Sequence, residues 1–206
     1  METVKFIRSV LVILMLLNVS CLIPTFDSPI VRKGMQGWVG VTGGYRCFDY
    51  GVIDEYNFED TKGVAVAGGL FYGFSDKIGV SSNFTVYRIE GYRDGTTYQI
   101  HNRFSASIAP KIELRKNRNP TLSVALGPAF PDIIRGTLMV GFRDETRNTL
   151  YTLGTHITYF AFFKPYDFFV NIGPGEGSGI VFYLGYQLPY WDNPQNFGVG
   201  LGYRFR

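Results

Sequence analysis

Residues 98–115 read Tyr98-Gln99-Ile100-His101-Asn102-Arg103-Phe104-Ser105-Ala106-Ser107-Ile108-Ala109-Pro110-Lys111-Ile112-Glu113-Leu114-Arg115. Tyr98, Ile100, Phe104, Ala106, Ile108, Ile112 and Leu114 alternate with Gln99, His101, Arg103, Ser105, Ser107, Lys111, Glu113 and Arg115. A helix, turning about 100° per residue, would scatter both sets around its circumference, whereas an extended strand puts one set on each face. The stretch is therefore a strand with one apolar and one polar side.

Outward from it, the same period of two begins at Gln36 and persists to the last residue. It predicts strands near 36–47, 62–74, 77–90, 97–115, 121–130, 133–143, 149–163, 167–173, 179–188 and 196–206. That is ten, or eight if the two weakest, 121–130 and 167–173, are loop. Turn residues separate them at Ser75-Asp76, Lys116 to Asn119, Asp144 to Asn148 and Pro174-Gly175-Glu176-Gly177. These short turns fall on one side of the sheet; the longer Phe48 to Asp60, Glu90 to Thr96 and Pro189 to Gln195 fall on the other. Short periplasmic turns and longer external loops are the asymmetry of outer-membrane barrels. The expected fold is all-β: a single closed antiparallel up-and-down β-barrel over residues 36–206.

A soluble barrel turns its apolar face inward and a membrane barrel turns it to lipid, and both give the same alternation. Two features favour lipid. Aromatic residues recur near predicted strand ends, at Tyr45, Tyr72, Tyr98, Tyr151, Phe163 and Tyr183, as in interfacial girdles. His101, Arg103, Lys111 and Arg135 lie in mid-strand on polar faces, where a small apolar core would not accept them unpaired.

The C-terminus, Gly198 to Arg206, resembles the assembly signal of outer-membrane barrels: Gly200, then the aromatics Tyr203 and Phe205 on one strand face. It departs from that pattern at Gly198, where a polar residue is common, and in ending on Arg206. The resemblance implies recognition of Gly200, Tyr203 and Phe205 by the barrel assembly machinery, and residence in outer-membrane lipid.

Residues 1–21 have the parts of a secretion signal: Lys5 and Arg8, the apolar run Val10 to Leu17, and small residues before Cys21. Even extended to Ile23, the apolar stretch is too short to span about 30 Å of hydrocarbon as a helix. Its end resembles a bacterial lipoprotein signal, which implies lipidation of Cys21; Ser20 fits, while Asn18 stands where Leu is usual. Ordinary cleavage after Val19-Ser20-Cys21 is the alternative. Residues 22–35, with Pro24 and Pro29, are expected to be a short linker. Cys47 is then left without an internal disulfide partner and reads as a small apolar residue.

Charge excludes little but points away from nucleic acid: the net charge is +3 and the basic residues are scattered. The glycine-rich runs 173–179 and 198–202 precede no helix and no Lys-Ser or Lys-Thr, so they are turn and lumen glycines rather than phosphate loops. Small inward-facing residues let strands tilt and coil. With His101 and His156 the only histidines, a multi-histidine metal site has too few ligands, and no cofactor is implied. His156-Ile157-Thr158 loosely resembles the His-x-Ser arrangement of outer-membrane lipid A deacylases, with Thr for Ser and Tyr159 where Asn is common.

His101, Arg103, Lys111, Glu113, Arg135, Arg143 and His156 are expected to knit a polar network in the lumen. A ten-stranded interior is only slightly wider than an eight-stranded one, so a filled lumen is favoured over a pore. Asp49, Asp54, Glu55, Glu59 and Asp60 make an acidic outer loop matching no EF-hand spacing. With Trp191 in the last loop, Asp54, Glu55 and Asp60 are the expected contacts for an external ligand of unknown kind. The leading expectation is a non-enzymatic barrel with a structural or loop-mediated binding role. The alternatives are a narrow passive channel, a lipid-modifying hydrolase, and a soluble, lipid-tethered, lipocalin-like binding protein.

Overall fold

Alternating residues need a neighbour on both edges of every strand, and a sheet meets that need completely only by closing on itself. The computed structural model describes residues 19–20, 24–45, 48–49, 60–93, 96–114, 119–130, 133–144, 146, 148–160, 162–163, 167–175, 177–187 and 196–206. Ten strands form the wall: β1 Gly34–Tyr45, β2 Asp60–Gly73, β3 Ile78–Arg93, β4 Thr96–Glu113 and β5 Thr121–Phe130, then β6 Ile134–Arg143, β7 Thr149–Phe160, β8 Asp167–Pro174, β9 Gly179–Gln187 and β10 Asn196–Phe205. Each pairs antiparallel with the next in sequence, and β10 returns to β1 from Phe197↔Tyr45 to Phe205↔Gly37. The result is a closed up-and-down barrel. The two weakest predicted strands are both present, as β5 and β8.

The apolar set points outward. Val39, Val66, Leu70, Val86, Leu153 and Leu201 are among a belt of large apolar side chains about half exposed on the outer wall. Their alternates Thr42, Ser81, Thr85, Ser105, Ser123 and Thr152 are buried inside. Apolar surface costs roughly 25 cal/mol per Å² in water, so a belt of this extent is stable only against lipid. The soluble, lipocalin-like arrangement, with the apolar face turned inward, is thereby excluded. Tyr72 and Tyr151 face outward as expected of girdle residues, but Tyr183 points inward and is buried; the side chains of Tyr45, Tyr98 and Phe163 lie outside the described ones.

Two sequence expectations change. The loop predicted at Glu90 to Thr96 is mostly strand: β3 and β4 stay paired up to Arg93↔Thr96, with an irregularity at Ile89/Glu90. Since β5 begins its pairing with β4 only at Ala106↔Phe130, this hairpin rises past its neighbour on the external side. The 22–35 linker is the second change. Strand β1 starts at Gly34, and residues 24–31 are almost all buried, inside the barrel. Gly34 has φ +101°, a left-handed conformation that a side chain would strain, and there the chain turns from lumen to wall.

Candidate functional site: the plugged lumen

The strap formed by residues 24–33 runs through the periplasmic half of the lumen and touches walls on opposite sides. At its centre Phe26 is fully buried. Its ring lies 5.5 Å from Trp38 on β1 and 5.5 Å from Tyr183 on β9. Three glycines make room for it: a Cβ added at Gly40 or Gly202 would land on the Phe26 ring, and one at Gly200 would come within 3.2 Å of it. These lumen glycines therefore form a socket, beyond the general freedom that small residues give a tilted strand. Further down, a Cβ at Gly141 would meet Pro29, and one at Gly73 would collide with the Arg32 carbonyl.

Polar side chains clamp the strap's backbone. Asn171 on β8 donates to the Thr25 carbonyl at 2.8 Å. Arg204 on β10 donates to the carbonyls of Phe26 at 2.9 Å and Asp27 at 3.0 Å. Glu113 on β4 accepts the Val31 N–H at 2.8 Å. A strap without secondary structure leaves backbone groups to be paired: Asp27 and Ser28 side chains accept the Ser28 and Ile30 N–H groups within the strap, and wall side chains take others.

Lys111 completes the clamp. Its side chain is wholly buried, and Nζ lies 2.7 Å from Asp27 Oδ2. It also donates to the Ser28 carbonyl and sits 5.1 Å from the centre of the Phe71 ring. Burying an unpaired ammonium costs several kcal/mol, of order 5, so the strap's carboxylate is what lets a lysine occupy this position.

Above the strap the lumen is lined by polar groups. Arg135 donates from Nη2 to Ser105 Oγ at 2.9 Å. His156 Nδ1 is 2.9 Å from Thr137 Oγ1, its cross-strand partner, and the imidazole stacks on Phe169 at 5.0 Å. Thr25, Asp27, Ser81, Asn83, Arg135 and Thr137 border a small cavity of about 10 Å³, room for one water molecule.

The structure thus brings Lys111, Glu113, Arg135 and His156 into one lumen, with Lys111 and Glu113 bonded to the strap from β4 and the other two above it. Arg143, at the periplasmic end of β6 and on the same strand face as Arg135, has its backbone N–H and carbonyl paired with the Asn119 side chain. His101 and Arg103 lie on β4, but their side chains fall outside the described ones, as does that of Asp60 at the start of β2. Cys21, Cys47, Asp54, Glu55 and Trp191 lie outside the described residues. Gly200 faces the lumen, while Tyr203 and Phe205 face outward.

Sequence reasoning missed Phe26, Asp27, Asn171 and Arg204. Arg204 was detectable, because it alternates with Tyr203 and Phe205 and so must point inward. Nothing in the aperiodic strap marked Phe26 and Asp27.

No family model and no curated protein matches the chain. Among solved structures it is similar to the COG4313 outer membrane channel from Pseudomonas putida F1, with a TM-score of 0.54 and 12% identity over 89% of this chain and 99% of that one. The translocator domain of the autotransporter NalP from Neisseria meningitidis aligns with a TM-score of 0.44 and 9% identity, covering 84% of this chain and 88% of that one. At such identities the first likeness concerns the fold alone. A closed ten-stranded antiparallel barrel with its apolar belt outward is a protein of the bacterial outer membrane, and this chain is one.

Proposed function

We propose that the chain is a non-enzymatic outer-membrane barrel, closed to solutes at rest, that acts through its presence in the envelope and through its external loops. The strap is the observation that supports this reading: it occupies the periplasmic half of the lumen, with Phe26 fully buried and Lys111 wholly buried against Asp27. A hydrolase reading finds little support. His156 points into the lumen, stacked on Phe169 and bonded to Thr137, while acyl chains lie on the other side of the wall. On the external side, Asp54, Glu55, Asp60 and Trp191 remain the residues proposed for contact with a ligand.

A second reading, a narrow channel opened by withdrawal of the strap, is favoured by how the strap is held. It joins the wall covalently through Gly34, and its described attachments include hydrogen bonds, the Lys111–Asp27 ion pair and an aromatic socket. The similar fold of an outer membrane channel is compatible with it. Planar-bilayer recording of the intact protein separates the two. Silence across physiological voltages is expected; sustained unitary conductance from the intact protein would replace the first reading with the second.

We also propose that Gly200, Tyr203 and Phe205 form the segment read by the barrel assembly machinery, with the aromatics presented on the lipid side of β10.

A further inference from the structure

We propose that Lys62 on β2 and Arg88 on β3 form a binding site for the phosphate groups of the outer-leaflet lipid, at the external edge of the apolar belt. The site lies on the lipid side of the wall, so it goes beyond the closed-lumen reading and does not depend on it.

Strand register brings the two cations together. On the outer face of the β2–β3 pair, Gly68↔Phe84 is followed by Val66↔Val86, Val64↔Arg88 and Lys62↔Glu90. Val64, Val66, Phe84 and Val86 are exposed members of the belt, and the next step up is charged. Lys62 and Arg88 are diagonal neighbours on this face, at most about 7–8 Å apart at their Cβ atoms. Side chains of that length can bring both charges to one phosphate.

Depth agrees with the register. Tyr72 faces outward near the periplasmic rim, and Lys62 stands ten residues above it on the same face of β2. Ten residues measure about 33 Å along a strand, or roughly 25 Å of depth at the usual tilt, which is the height of the apolar band of such barrels. Lys62 therefore stands at the external interface. Arg88, one row lower beside Val64, reaches it by laying its alkyl stem along the belt and lifting its head into the polar layer.

The charge is confined to this sector. On other strands Phe104, Phe130, Ile134, Phe168 and Phe197 face outward at the external rim, and no other outward-facing charge occurs there among the described residues. Glu90 shares the face and lies 2.9 Å from Arg88 Nη2. It fixes one edge of the guanidinium, yet the Arg88 side chain is still 57% exposed and keeps N–H groups for a second partner. With Lys62, Arg88 and Glu90 together, one positive charge is left unneutralised. At this depth the surrounding lipid supplies the counter-charge as phosphate, which a fixed guanidinium and an ammonium bind through charge-assisted hydrogen bonds.

The test is native mass spectrometry of the folded, detergent-solubilised barrel offered diphosphorylated lipid A, its dephosphorylated form, or inorganic phosphate. The parent should retain the diphosphorylated lipid about tenfold more than the dephosphorylated one, the preference expected of one or two charge-assisted bonds. Lys62→Gln with Arg88→Gln should abolish that preference, whereas Lys62→Arg with Arg88→Lys, which keeps both charges, should preserve most of it. Equal retention of the two lipids by the parent, or an undiminished preference in the glutamine double variant, would overturn the proposal. So would displacement of the lipid by inorganic phosphate, which would make the ligand a free anion rather than a lipid. The comparison on the parent uses the unaltered protein, so it decides the matter even if a variant fails to fold.

Discussion

Lys111 Nζ lies 2.7 Å from Asp27 Oδ2, joining the wall strand β4 to a strap more than eighty residues earlier in the chain. The pair explains two oddities at once: a lysine with no solvent exposure in a barrel wall, and an aperiodic segment that nevertheless has one position in the lumen.

Removing one charge should therefore cost more than removing both. Asp27→Ala strands the Lys111 ammonium and is expected to destabilise the barrel by about 3 kcal/mol or more, whereas Asp27→Leu with Lys111→Met should recover most of that loss. The urea midpoint of the heat-modifiable folded band measures both. Equal midpoints for the single and double variants would show that the pair does not hold the strap.

Phe26 and its glycine socket make a second, independent test. Phe26→Ala leaves a cavity in the centre of the plug and should cost about 3–5 kcal/mol, as truncation of a buried aromatic does. Gly40→Ala pushes a methyl into the ring and should cost about 1–3 kcal/mol by overpacking. Combined, the two should be less harmful than their sum, because the alanine methyl fills space that the ring has left. Strict additivity in that double-mutant cycle would place Phe26 away from Gly40.

The period of two made the wall legible because lipid on one side and a wet lumen on the other force every spanning residue to choose a face. Ten strands and most of their boundaries follow from that alternation. It fails where the constraint ends. The expected loop at Glu90 to Thr96 is such a place: Glu90 and Arg93 leave no apolar face, yet β3 and β4 continue through most of the stretch. Above the membrane both faces of a hairpin are wet, so pairing persists without an apolar face. The strap was illegible for a related reason: its partners are single side chains on five different strands, and no local pattern encodes such contacts.

The same alternation predicts how charge is tolerated on the outer wall. Val66 on β2 is paired between Val41 and Val86 in mid-strand and is 48% exposed, facing lipid. Val66→Arg is expected to cost about 2–4 kcal/mol, and Tyr72→Arg, near the periplasmic rim, about 0–1 kcal/mol. Refolding into vesicles followed by urea titration gives both values. A cost at Tyr72 equal to that at Val66 would mean that the belt does not lie at the depth the strands imply.

The C-terminal strand allows recognition by the assembly machinery to be separated from stability. Phe205 would serve both under the proposed assembly role, since its ring covers the position where Gly37 of β1 would carry a Cβ, at the seam that closes the barrel. Tyr203 is the cleaner probe: it pairs with Val39 and faces outward, and its loss removes surface from lipid rather than from the lumen. Tyr203→Ala should therefore refold from urea with a midpoint close to the parent's, while its yield as folded barrel in the outer membrane of cells falls severalfold. Phe205→Ala should lower both the midpoint and the yield, because the closing seam loses its cover. If Tyr203→Ala assembles in cells as well as the parent, the aromatic pair is only part of the wall, and the assembly signal must be carried elsewhere in the chain.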